Sequence, residues 1–286
     1  MVKLDTLPVV RVQANGAELC VEALGERGDP PILLIMGSGG SMEWWDDEFC
    51  ERLAAGGRFV VRYDHRDTGE STTYPPGSPQ YTGTDLIDDA VAVLDGLGLE
   101  RAHVAGLSMG GALAQVLALD HPERVASLCL IATSPAGPDK DLPGMAADDA
   151  ARLNAIPAPD WSDREAVIDF LVDYSRAVAG RSRPFDEARH RRMIARAYDR
   201  SPSFESTNNH HLIDGAPRWR ERLGDLKVPT LVIHGREDPL FPHGHGVALA
   251  AEIPGARLLT LEHAGHELPR EDLDVVIPAI LELTAP

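Results

Sequence analysis

The stretch His103-Val-Ala-Gly-Leu-Ser-Met-Gly-Gly-Ala-Leu-Ala-Gln-Val-Leu-Ala-Leu119 changes character once, at Ser108. The residues before it form a short apolar run, as a buried strand does. Those after it keep apolar side chains at helical spacing. Gly106-Leu-Ser-Met-Gly110 lies across the join and matches G-x-S-x-G. By itself that pattern is common; the strand before it and the helix after it sharpen it. A nucleophilic serine needs a sharp strand-to-helix turn with strained backbone angles, and flanking glycines let the chain pass closely there. The helix N-terminus beneath also favours developing negative charge. A plain glycine-rich turn is the structural alternative.

Outward from this turn the chain alternates. Residues 9–12 and 18–24 read as two strands joined by the turn Asn15-Gly16. Residues 31–36 form a solid apolar run, as expected of a central parallel strand. Residues 59–63, 127–132, 230–234 and 257–261 complete a set of eight strands with 103–107. Helical spacing marks 85–97, 110–120, 246–253 and 271–283. Strands alternating with helices predict an α/β fold: a mostly parallel eight-stranded sheet flanked by helices on both faces. One block breaks the alternation. From Pro135 a Pro/Gly-rich linker leads into helical patterns over 164–179 and 186–198, with no strand before about Leu223. A segment of that length is too long for a loop. It reads as a helical cap, residues 135–223, inserted into a core of residues 1–134 and 224–286; a separate helical domain is the alternative.

Bulk properties narrow the function. Apolar residues make up 43% and charged residues 25% of 286, values that suit a globular chain with a sizeable core. The formal net charge of −18 repels phosphate backbones, so no nucleic-acid partner is expected, and it favours solubility. Cys20, Cys50 and Cys129 are odd in number and widely spaced, which suggests neither a disulfide framework nor a metal site. No stretch approaches the ~18 apolar residues of a membrane span. The N-terminal Met1-Val-Lys-Leu-Asp-Thr-Leu-Pro8 has no continuous apolar region of a signal peptide. A cytoplasmic setting follows as an expectation. The oligomeric state is left open.

A serine hydroxyl is a poor nucleophile until a base takes its proton. Thr230-Leu-Val-Ile-His-Gly-Arg-Glu-Asp238-Pro supplies an apolar strand and then a loop with an acid. Arg257-Leu-Leu-Thr-Leu-Glu-His-Ala-Gly-His266 supplies a further strand and a loop with a histidine. Both loops follow strand C-termini, as Ser108 does, so one parallel sheet brings all three to a single edge. The expected triad is Ser108, Asp238 and His266. Glu237 and His263 stand as alternatives: Asp238 is nearer the Pro-Leu turn, and Gly265 suits a tight turn before His266. His103 and His234 fall within strands and read as core residues, while His65, His121, His210 and His211 lack a triad context. Two amides should receive the oxyanion. One is that of Met109, after the nucleophile; the other is expected from Ser38 in Gly37-Ser-Gly-Gly40, with Gly37 as alternative. His243-x-His245 and His263-x-x-His266 have ligand-like spacing, but H-E-x-x-H is absent and no third ligand follows, so no metal is expected. No phosphate-binding glycine motif is present, so nucleotide binding is not expected. In the cap, Trp161, Phe170, Leu171 and Phe204 are candidates to line a pocket over Ser108; the plainer reading of each is cap core.

Ile35-Met36-Gly37, Gly106-Leu-Ser-Met-Gly-Gly111, Gly235-Arg-Glu-Asp-Pro239 and Ala264-Gly-His266 resemble the α/β-hydrolase superfamily across nearly the whole chain. Within it, Asp47-Glu-Phe49, Leu53-Ala-Ala-Gly-Gly57, Arg62-Tyr-Asp-His-Arg-Asp-Thr-Gly-Glu-Ser-Thr-Thr73 and Ala118-Leu-Asp-His121 are similar to the aclacinomycin methylesterase group. Asp64-His-Arg-Asp-Thr-Gly-Glu-Ser71 stands where many members carry D-x-R-G-x-G-x-S, and shapes a turn in this reading. Met36-Gly37 stands where His-Gly is usual. The resemblance implies a cofactor-free serine hydrolase acting on a small-molecule carboxylic ester, with a methyl ester of a bulky polyketide-like acid as the finer expectation. The same triad also serves carbon–carbon bond hydrolases and haloperoxidases, and the same fold serves non-catalytic small-molecule receptors. An Asp nucleophile, which a dehalogenase needs, is absent at position 108.

Overall fold

The computed structural model describes residues 9–135, 141–215 and 219–285. The N-terminal stretch through Pro8 and the middle of the linker after Pro135 lie outside the described residues. In chain order the strands are β1 (Val10–Ala14), β2 (Ala17–Leu24), β3 (Pro31–Ile35), β4 (Phe59–Tyr63), β5 (Ala102–Leu107), β6 (Val125–Ile131), β7 (Thr230–Gly235) and β8 (Arg257–Leu261). The helices are α1 (Asp47–Ala55), α2 (Gly83–Gly96), α3 (Met109–Asp120), α4 (Ala147–Asn154), α5 (Arg164–Val178), α6 (Glu187–Arg200), α7 (Gly244–Glu252) and α8 (Leu273–Leu283).

One eight-stranded sheet runs β1-β2-β4-β3-β5-β6-β7-β8. β1 pairs with β2, and β2 with β4, antiparallel. Every other pair is parallel. The Asn15-Gly16 turn joins β1 to β2, with Gly16 at φ 73°. The period-2 pleat divides each strand between two cores. Leu33 and Ile35 of β3 join Val104, Leu128 and Val232 under α2, α3 and α7. Ile32 and Leu34 join Ala105, Ile131 and Ile233 under α1 and α8. Both faces are therefore apolar, which is why the central strands read as continuous hydrophobic runs. The three cysteines are buried free thiols, and burial pushes Cys50 up to about 12.

Between β6 and β7, which are neighbours in the sheet, the described residues contain helices and no strand. α4, α5 and α6 are joined there by a 3₁₀ helix, Phe204–His211, and a second, Arg220–Asp225. Asp163 and Asp186 cap α5 and α6 by accepting first-turn amides. The reading of 271–283 as one helix is corrected at its start: residues Arg270–Asp272 form a 3₁₀ turn before α8. Helices α1 and α4 lie in stretches where the sequence suggested no element.

Candidate active site

The site begins with the turn after β5. Ser108 sits at φ 56°, ψ −119°, a left-handed conformation that costs a non-glycine residue of order 1–3 kcal/mol. Surroundings hold it there. The Ser108 amide donates to the Ile131 carbonyl at 2.9 Å. The Thr133 hydroxyl donates to the Ser108 carbonyl at 2.7 Å. The flanking glycines are needed for close approach. A Cβ on Gly106 would lie 2.2 Å from the Gly110 carbonyl oxygen, and one on Gly110 would lie 2.0 Å from that of Ile35. Backbone cannot yield at those distances. The serine is thereby lifted off the strand end, half-buried, with α3 starting directly beneath it.

β7 delivers Asp238, 4% exposed. Its Oδ1 accepts the amides of Leu240 at 2.9 Å and Phe241 at 2.9 Å, so the turn after Pro239 grips the carboxylate. Its Oδ2 accepts from His266 Nδ1 at 2.9 Å. Since a carboxylate only accepts, the proton is on Nδ1 and the Nε2 lone pair is available as a base. The Phe241 ring meets the His266 ring edge-on at 5.5 Å. His234 lies on the far side, Nε2 3.5 Å from the same Oδ2 and donating to the Phe241 carbonyl at 2.7 Å. Burial lowers its pKa, against the pull of Asp238 and the Phe241 carbonyl.

The alternatives to these residues face elsewhere. Glu237 accepts the amides of Arg181 and Ser182. His263 Nδ1 meets the Ser182 hydroxyl at 2.8 Å. His243 pairs with Thr260, and His245 lies between Ser134 and the Pro143 carbonyl. Gly265 is needed here for close approach. Its φ is not positive; a Cβ there would lie 2.2 Å from the Val178 carbonyl oxygen. The end of α5 presses on this loop, and the His266 amide donates to Val178 at 2.8 Å.

A cavity of about 410 Å³ has Ser108 and His266 in its wall. Ser38 lines it as an exposed residue, and Gly37 beside it is buried, its Cβ position 3.1 Å from Ser108 Cβ. The Met109 side chain packs on the core, and its amide, first in α3, has no intrahelical acceptor. Trp161, Phe170, Leu171 and Phe204 all line the cavity. Trp161, Leu171 and Phe204 also pack with Val167 and Ala197 within the helical segment. Sequence reasoning missed Trp44, Met193, Phe241 and Leu268 in the same wall. Trp44 and Phe241 had a usable signal: each is a large apolar residue in the segment that follows a strand leading to a site residue. Met193 on α6 had none.

Asp64, buried at the end of β4, accepts the Met42 amide at 2.8 Å and the Glu70 amide at 3.0 Å, the turn-shaping role expected of its motif. It also meets Arg200 of α6 at 2.9 Å.

The model of the alpha/beta hydrolase fold family matches residues 30–272. The chain is 35% identical to rhodomycin D methylesterase DauP of Streptomyces sp. (strain C5) over 92% of this chain and 93% of that protein. It is 29% identical to a 2-hydroxymuconate semialdehyde hydrolase of Pseudomonas sp. (strain CF600), over 82% and 80% of the two chains. An esterase from Exiguobacterium antarcticum superposes with a TM-score of 0.79 at 21% identity, covering 97% of this chain and 99% of that one, a likeness of fold. With the strained serine turn, the strand order and this match in agreement, the chain belongs to the α/β-hydrolase fold family.

Proposed function

We propose that this protein is a serine hydrolase that cleaves a carboxylic ester through an acyl-enzyme. The observation that carries the reading is a strained Ser108 sharing one cavity with His266, whose Nδ1 is held by Asp238 at 2.9 Å. Ser108 Oγ attacks the ester carbonyl while His266 Nε2 takes its proton. Asp238 orients the ring and stabilises the imidazolium. The Met109 and Ser38 amides receive the oxyanion. The tetrahedral intermediate collapses, His266 protonates the leaving alcohol, and a water activated by the same base frees the acid.

The finer reading follows from the cavity and from the methylesterase relative. Indole, phenyl and aliphatic side chains dominate the wall, which suits a bulky apolar acyl group with a small alcohol, such as a methyl ester of a polyketide-like acid. Residues 135–223 act as the cap that selects this group, over a core of 1–134 and 224–286. Three free thiols suit a reducing, cytoplasmic setting. Among the described residues, no helix is long and apolar enough to cross a membrane.

Ser108→Ala should fold normally and lose roughly 10³-fold or more in kcat on a panel of methyl and p-nitrophenyl esters of graded size. A fluorophosphonate should label the wild type at Ser108. Labelling elsewhere, or cleavage of a diketone with no ester turnover, would replace the reading.

A further inference from the structure

Two buried histidines clasp the loop that follows β3, and neither belongs to the triad. His65, just past β4, donates from Nε2 to the Met36 carbonyl at 2.9 Å. His210, in the 3₁₀ helix Phe204–His211, accepts the Gly39 amide on Nδ1 at 2.8 Å. The two contacts bracket Gly37 and Ser38. The His210 tautomer follows from its partners. Gly39 N–H can only donate, so Nδ1 is bare; the Arg66 carbonyl, 2.8 Å from Nε2, can only accept, so Nε2 carries the proton. The two imidazoles meet edge-on at 5.7 Å. His210 is 6% exposed and His65 fully buried.

The segment bearing His210 is itself anchored. Asn209 donates to Asp67 at 2.9 Å and accepts the Gly77 amide at 2.8 Å. Ser206 donates to the Tyr74 carbonyl at 2.8 Å. Phe204, Thr207, Asn208 and His211 of the same helix line the cavity. One short helix therefore contributes to the cavity wall and also holds the loop after β3. Gly39, at φ 70°, gives its amide to this side chain, while the Gly40 amide closes the turn on the Gly37 carbonyl at 3.1 Å.

The geometry points to His210 as a positioning residue that, through the Gly39 amide, holds the Gly37–Gly40 loop where the Ser38 amide meets the oxyanion. This rests on the ester-hydrolase reading and assigns it a residue from the segment between β6 and β7. His210 touches no reacting atom.

Two substitutions separate its two bonds. His210→Asn can place Oδ1 where Nδ1 stood and keep the Gly39 bond while losing that to Arg66. His210→Gln can place Nε2 where the ring Nε2 stood, keeping the Arg66 bond and losing Gly39. With a short p-nitrophenyl ester, His210→Gln should lower kcat about 10- to 100-fold, the scale of a displaced oxyanion donor, with KM changed less than about threefold. His210→Asn should stay within about threefold of wild type in kcat. Amide hydrogen exchange at Gly39 should accelerate in the Gln variant and not in the Asn variant. Equal kcat losses in both variants, or an unimpaired His210→Gln, would overturn the proposal. Absence of fluorophosphonate labelling at wild-type Ser108 would strike the ester-hydrolase reading instead, and unchanged Gly39 exchange in His210→Gln would still sink the loop tie.

Discussion

At the scale of single residues, chemistry depends on which of two near neighbours faces inward. Glu237 and Asp238 are adjacent and both acidic, and His263 and His266 are three positions apart. Only one of each pair meets the other across the sheet edge. The reason is backbone geometry: the amides of Leu240 and Phe241 bind one oxygen of Asp238 and leave the second for His266. Glu237 and His263 are both engaged by the loop at Arg181 and Ser182. Asp238→Asn and His266→Ala should therefore each cost roughly 10³-fold or more in kcat. Glu237→Gln and His263→Ala should cost less than about tenfold, through loosened loop contacts. Steady-state kinetics of the four variants decides the assignment, and the opposite ranking would move the roles to Glu237 and His263.

At the scale of elements, parallel pairing from β4 through β8 sends every loop with a proposed role to one edge, where residues of the helical segment after β6 line the cavity. In the 3₁₀ helix Phe204–His211 side chains recur on a face about every three residues, which lets Phe204 and Thr207 face the cavity while Ser206 and Asn209 face the core. Two aromatic residues on either side of the start of α5, Trp161 and Phe170, meet edge-on at 5.7 Å in the cavity wall. Phe170→Ala and Trp161→Ala should lower kcat/KM for a large polycyclic methyl ester by about 10-fold or more, each deleting one to three kcal/mol of apolar contact. A short acetyl ester should change by less than about threefold. Since Trp161 also packs within the helical segment, melting curves should accompany its kinetics. An equal loss on both esters would reduce this wall to a lid without selectivity.

At the scale of the whole molecule, the buried histidines link stability to pH. Burial lowers His65 from 6.5 to about 4, opposed only by its bond to Met36. Burial also lowers His210 to about 4; His65 and His211 reinforce this, while the Arg66 carbonyl and Asp67 oppose it. His190, His234 and His243 shift in the same direction. Between pH 6.5 and 4 the unfolded chain binds protons at His65 and His210 that the folded chain does not. Stability is thus fully present above about 6.5 and falls as pH drops towards 4, by at most about 1.4 kcal/mol per pH unit for each fully buried histidine. Carboxylates held below their usual range, Asp46 and Asp47 among them, act only at lower pH. Urea unfolding from pH 7 to 4.5 should show this decline. His65→Gln, which can keep the Met36 bond without titrating, should flatten it; an unchanged slope would assign the loss to other groups.

Much of this was legible in the chain itself. Strand and helix positions, the parallel sheet and the serine turn follow from apolar periodicity and from glycine placement, both local properties of consecutive residues. β4 and β8 fall on the stretches read from sequence, and the remaining strands differ at their ends by one or two residues. Proximity was decided only by the tertiary structure. Hydrogen-bond direction separates Asp238 from Glu237, and the pressure of α5 on the loop before His266 requires Gly265, contacts 28 and more than 80 residues apart in sequence. His210 carried no signal at all. Its neighbours in sequence give it no partner, and its place against the Gly39 amide, 171 residues away, exists only once the helical segment closes over the sheet edge.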